Sequence, residues 1–270
     1  VATIFAISDI HGHYEAMIGV LRLVDLETNK ENKLILLGDY VDGGKDSCRV
    51  LYHIKELEKK YPDQVIVLIG NHEKMFIDWY TTYNDKMQWL MFDLKLLTIK
   101  SFFTEEHFTL IEERPEVSKG SYVEVSQYLV QEMKKQHIEL LNWLTEKSKQ
   151  KPYYETENQI YVHAGICEVD EGLWKQATES DDFYWKYPAE TGGFYKDIIA
   201  GHVSTAEIAK DDDYLGKVFW DGQSHFYIDG ETNRSNTIPL LKYDTRTKAY
   251  ASYEKQDDGL LSESEITLKF

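Results

Sequence analysis

A chain of 270 residues that is 42% hydrophobic and 13% aromatic has the composition of a folded globular protein, which excludes collagen-like, low-complexity and wholly disordered classes. That length suits either one large domain or two small ones. Acidic residues outnumber basic ones 47 to 30, and the net charge of −17 supplies no overall positive field to gather nucleic acid or an anionic lipid surface.

Short apolar runs recur along the chain, each followed by a polar loop containing glycine: TIFAIS (3–8), KLILLG (33–38), QVIVLIG (64–70), QIYV (159–162) and DIIA (197–200). Their apolar character is continuous rather than alternating, which predicts strands buried on both faces. Between the first three lie helical patterns over 14–26, with Met17, Leu21 and Val24 on one face, and over 46–60, with Val50, Leu51, Ile54 and Leu57 on one face. The β-α-β-α-β start predicts parallel strands joined by right-handed crossovers, with their following loops gathered along one sheet edge.

From 73 to about 150 the pattern turns helical, with Trp79, Tyr80, Trp89 and Phe92 and then a long periodic stretch over 123–149. No Pro/Gly/Ser-rich linker bounds it, and strand patterns resume afterwards. We read residues 1–270 as one domain with a helical insertion at about 74–150. After 215, KVFWDG, HFYIDG, TIPLLKYD and AYASYEK read as short antiparallel strands, while DDGLLSESEITLKF is committed to no element. The opening VATIFAISDIHG has no basic segment or long apolar stretch of a signal, and no run reaches the ~18 apolar residues of a membrane span. Cys48 and Cys167 make neither a disulfide framework nor a CxxC motif, and a cytoplasmic location is expected.

The loops after the five strands hold Asp9 and His11 (SDIHG), Asp39 and Asp42 (GDYVDGG), Asn71, His72 and Glu73 (GNHE), His163 (HAG) and His202 (GH). Carboxylate oxygen, imidazole nitrogen and amide oxygen suit manganese, iron or zinc, and one carboxylate can bridge two ions. Six such ligands therefore fit a two-metal site better than a single tetrahedral one. Each motif alone is weak, and their ordered recurrence after successive strands is what carries the signal.

In that order the motifs resemble the signature of the phosphoprotein phosphatase superfamily of calcineurin-like dinuclear metallophosphoesterases, of the bacterial serine/threonine phosphatase or diadenosine tetraphosphatase type. FYIDG at 226–230 resembles the family's late strand segment. The resemblance implies an α/β fold, a metallophosphoesterase-like αββα sandwich. It also implies two metal ions, manganese foremost with iron or zinc as alternatives. Asp9 and His11 would hold one ion, Asp39 would bridge, and Asn71, His163 and His202 would complete the second. His72 would be the general acid, oriented and kept protonated by Asp42, and a hydroxide bridging the metals would attack phosphorus in line.

The implied substrate is a phosphorylated protein or a nucleotide such as a dinucleoside polyphosphate. Two departures from the pattern stand out. The family writes GDxVDRG where this chain has Gly43, and a WxR arginine of bacterial members is matched by Tyr187. Lys45 or Lys186, each within two residues of a missing arginine, is the expected replacement charge. The rival reading is a non-catalytic, metal-containing binding module. Glu73 is expected to cap a helix or support its loop, Cys167 to be a core residue, and the insertion's aromatics to be core rather than a base-stacking platform.

Overall fold

The computed structural model describes residues 2–83, 86–255 and 261–266. Its strands in chain order are β1 (Thr3–Ile7), β2 (Lys33–Leu36), β3 (Val65–Val67), β4 (Tyr153–Glu155), β5 (Gln159–Val162), β6 (Asp197–Ser204), β7 (Phe219–Trp220), β8 (His225–Asp229), β9 (Leu241–Asp244), β10 (Ala249–Lys255) and β11 (Leu261–Ile266). Helices α1 (Tyr14–Leu21), α2 (Ser47–Lys60) and α3 (Asn71–Thr82) follow the first three strands. A long helix, Tyr122–Lys147, comes later in the segment between β3 and β4.

The strands form two sheets, ordered β11-β10-β9-β1-β2-β3 and β4-β5-β6-β8-β7. β1, β2 and β3 are parallel, in the register Ile4↔Lys33 and Leu34↔Val65, and β5 and β6 are parallel in the second sheet. The five predicted strands therefore divide between two sheets instead of lining one edge. Period-2 alternation explains why both faces of each run are apolar. Ile4, Ala6, Ile35 and Leu37 meet Tyr161, Ile199, Phe226 and Ile228 of the other sheet in one buried cluster. The alternate residues Phe5, Ile7, Leu34 and Leu36 join the α1 and α2 residues Met17, Val20, Val50, Leu51 and Ile54 in another.

Two boundaries differ from the sequence pattern. The first helix stops at Leu21 rather than 26, and Asp25 Oδ1 accepts the Glu27 and Thr28 amides in a turn that competes with helix. The C-terminal SESEI segment, uncommitted by sequence, pairs antiparallel with β10 from Tyr250↔Ile266 to Lys255↔Leu261. An edge strand with exposed polar residues carries no continuous apolar run to announce it.

The long helix packs on α3. Trp79 Nε1 donates to Ser126 Oγ at 2.9 Å and the Tyr80 hydroxyl donates to the Leu141 carbonyl at 3.0 Å. Trp79, Tyr80 and Trp89 are all buried, as expected of core aromatics, whereas Phe92 is exposed. Among the described residues no helix is long and apolar enough to cross a membrane.

Candidate active site

The site begins with backbone geometry. Asp9, His11, Asp39, Asp42 and His202 all have positive φ, between 47° and 69°. That left-handed region is uncommon for residues bearing a Cβ and turns each chain sharply off the end of its strand. Two glycines let the turns close: a Cβ on Gly70 would lie 2.0 Å from Asp39 Oδ1, and one on Gly201 would lie 2.2 Å from Asp9 Oδ2. Neither position has room for a side chain.

Asn71 and His72 start α3, and Glu73 completes its first turn. The Glu73 carboxylate is wholly buried and accepts four amides, from Gly70 (2.9 Å), Asp39 (2.7 Å), Tyr40 (2.7 Å) and Val41 (3.1 Å). It therefore caps its own helix and also shapes the loop after β2. Burial pushes its carboxyl upward, against the four amides that favour the ionised form.

Each histidine is oriented through one ring nitrogen. His11 Nδ1 lies 3.0 Å from the Val41 carbonyl and His163 Nδ1 lies 3.0 Å from the Leu37 carbonyl, so in both rings Nδ1–H donates and Nε2 faces inward with a lone pair. His163 Nε2 is 2.9 Å from Asn71 Oδ1, and His202 Nδ1 is 3.1 Å from the same oxygen. Asp39 stands between, with Oδ1 3.5 Å from His163 Nε2 and Oδ2 3.8 Å from His11 Nε2. His11 Nε2 is also 3.9 Å from Asp9 Oδ1, and the His202 amide donates to the Asp9 carboxylate.

The potential ligand atoms of His11, Asp39 and His72, and those of Asp39, His163 and His202, lie within 4.8 Å of one another in each trio. Asp39 belongs to both. Burial lowers His11 and His163 and takes His202 down to about 4, which leaves these imidazoles neutral at physiological pH. Burial likewise raises the carboxyls, Asp39 to about 6 and Asp9 well above its ordinary range, the latter further pressed by Asp229 and Asp39. Inward lone pairs and crowded, desolvated carboxylates are the donor chemistry that cations satisfy, so these residues fit a pair of metal ions.

His72 differs from the other three. Its Nδ1 is 2.6 Å from Asp42 Oδ2. Burial works against its charge, but Asp39 and the Asp42 hydrogen bond outweigh it and lift the imidazole to about 9. Asp42 in turn has both oxygens engaged: Trp89 Nε1 donates to Oδ2 and the Thr98 hydroxyl donates to Oδ1, each at 2.9 Å.

The replacement lysines lie differently. Lys186 donates to the Ile166 carbonyl and pairs with Glu190 at 2.9 Å, while Lys45 is exposed beside a groove with Leu97, Lys100 and Phe108. Gly43 has φ +92°, and a Cβ there would lie 2.3 Å from Asn233 Oδ1, which itself meets His13 Nε2 at 2.9 Å. Tyr187 is exposed and donates to Glu207. Sequence reasoning missed four participants: Thr98, Trp89 as a hydrogen-bond donor, Asn233, and the buried Asp229. Only Asp229 had a local signal, in FYIDG.

Residues 2–221 match the model of the calcineurin-like phosphoesterase family. The chain belongs to that family of metallophosphoesterases, hydrolytic enzymes whose family designation implies divalent metal ions. Over 70 residues, 26% of this chain, it is 40% identical to a symmetrical bis(5'-nucleosyl)-tetraphosphatase of Nitrosospira multiformis. Over 89 residues, 32% of the chain, it is 30% identical to the PP2A-like serine/threonine-protein phosphatase PPG1 of Candida albicans. The matched segments span 24% and 21% of those relatives' own lengths. The fold is similar to that of a cold-active protein-tyrosine phosphatase of a Shewanella species, with TM-score 0.55 and 14% identity over 98% of this chain and 80% of that one.

Proposed function

We propose that this chain catalyses metal-dependent hydrolysis of phosphate esters, with phosphoserine or phosphothreonine proteins and dinucleoside polyphosphates as the substrate classes. The 2.6 Å contact between His72 and Asp42, set beside the converging ligands, carries this reading. A metal site that only bound a partner would have no use for a protonated imidazole held at its edge, which argues against the binding-module reading.

Asp9, His11 and Asp39 would hold one ion; Asn71, His163 and His202 would hold the second, with Asp39 shared. Manganese is the proposed ion, and iron or zinc suits the same donors. When bound, the ions neutralise phosphate charge and acidify a water for attack at phosphorus. The chain's own contribution is the proton. His72 presents Nδ1 to Asp42, so Nε2 is the atom that gives its proton to the departing oxygen. Asp42 fixes the ring and stabilises its cation. The two free cysteines support a reducing compartment, the cytoplasm, as the site of action.

Lys45 and Lys186 are the proposed substitutes for the family's arginines, and Lys186 must leave Glu190 to serve. If Lys45→Ala and Lys186→Ala both leave kcat/KM unchanged, phosphate is held without them. The reaction itself is tested by product release from p-nitrophenyl phosphate, its bis ester, phosphopeptides and diadenosine tetraphosphate, using Mn²⁺-loaded protein with His72→Asn as control. Turnover of phosphopeptides, whose alkoxide leaving group needs a proton, that collapses in the variant supports the enzyme. Metal binding without any turnover favours the binding module.

A further inference from the structure

We infer that Trp89 and Thr98 are positioning residues that hold Asp42 in the orientation from which it directs His72; this rests on the acid role proposed for that pair. The Thr98 hydroxyl donates to Asp42 Oδ1 at 2.9 Å and accepts the Asp42 amide at 3.1 Å, so one group grips main chain and side chain together. Trp89 Nε1 shares Oδ2 with His72. With Oδ1 tied to Thr98 and Oδ2 to Trp89, the carboxylate cannot rotate away from the imidazole without breaking two further hydrogen bonds.

The grip is itself anchored. Asp93, buried, accepts the amides of Thr98 and Ile99 at 3.0 Å each and fixes the turn that presents the hydroxyl. The Trp89 indole is buried between Phe76 and Trp79, with both ring centroids at 4.9 Å. Phe76 lies on α3, the helix whose first turn carries His72. Both donors come from residues 89–98, within the helical segment and outside the strand-end motifs. A buried aspartate needs partners for its own sake. These partners, however, converge on the one carboxylate whose other contact is His72, and two groups that must align gain most from a rigid neighbour.

The test uses the full Mn²⁺-loaded chain and two aryl phosphates. Phenoxide needs a proton to leave, and p-nitrophenoxide scarcely does. Trp89→Phe and Thr98→Val are expected to lose about 10- to 100-fold in kcat/KM on phenyl phosphate and much less on p-nitrophenyl phosphate. Thr98→Ser, which keeps the hydroxyl, should restore most of the loss. The downfield Nδ1–H proton of His72, followed in ¹⁵N-histidine-labelled metal-free protein, should shift or broaden in Trp89→Phe and Thr98→Val and not in Thr98→Ser.

Equal losses on both substrates, or an unmoved His72 proton, overturn the inference. His72→Asn and Asp42→Asn are measured alongside. If these two show the leaving-group split and the Trp89 and Thr98 variants do not, the positioning role fails while the acid role stands. If they show no split, the acid role fails and takes this inference with it. Should Thr98→Val not fold, Trp89→Phe carries the same comparison.

Discussion

Gly43 stands where the GDxVDRG pattern that the chain resembles writes arginine, and its surroundings leave no room for a side chain. At φ +92° any L side chain is strained, and the first atom beyond Cα would strike the Asn233 amide. Gly43→Arg is therefore expected to lower stability by about 1–2 kcal/mol without raising kcat/KM on phosphomonoesters. Denaturant titration and steady-state kinetics on the one variant check both halves, and a gain in kcat/KM would show that Asn233 yields. Glu73 is the opposite case, a side chain that the backbone around it requires. Glu73→Gln turns an amide NH₂ toward backbone donors, and a loss of about 3 kcal/mol in unfolding free energy is expected. The same titration reads it; a loss under about 1 kcal/mol would mean that the loop after β2 does not depend on the carboxylate.

At the scale of elements, legibility followed sequence distance. The ligand candidates were readable because each sits in a short motif directly after an apolar run, and the strand ends bring those motifs together. Thr98 and Trp89 were unreadable because neither sits in a motif; only the folding of the helical segment between β3 and β4 returns them to Asp42. β11 was unreadable for a different reason, as an edge strand with polar residues in solvent. His225 lies outside the strand-end motifs, and its surroundings give it a structural role. It starts β8, with Nδ1 3.1 Å from Asp221 and Nε2 3.0 Å from Glu168, and so ties the segment after β5 to the β7–β8 turn.

Burial opposes the His225 cation, but the Glu168 hydrogen bond and both carboxylate charges outweigh it and raise the imidazole above 6.5. A raised histidine contributes stability that is whole below the unfolded value and is lost as pH climbs through the folded one. Wild-type stability is therefore expected to fall relative to His225→Gln as pH rises above about 6.5. Urea midpoints for the two proteins across that rise decide it; parallel curves would mean that folding leaves the His225 titration unshifted.

Across the whole molecule the candidate ligands come from both sheets. The β1-β2-β3 side delivers Asp9, His11, Asp39 and Asn71, and the β5-β6 side delivers His163 and His202. Ions held between them would clasp the two sheets. Metal saturation at 100 times the dissociation constant is worth about 2.7 kcal/mol. Chelation should accordingly lower Tm, and Mn²⁺ should restore it. A Tm indifferent to both would place the metals, if bound at all, outside the load borne by the fold.

The left-handed turns at Asp9, His11, Asp39, Asp42 and His202 have a consequence for selection. At roughly 1 kcal/mol each, five such residues store about 5 kcal/mol, as much as the entire stability margin of a modest domain. Glycine at these positions would release that strain and remove the chemistry together. A library sorted for thermal resistance alone should drift toward glycine at these five places, yielding robust and inert descendants. Retaining aspartate and histidine there requires a selection that asks the protein to work.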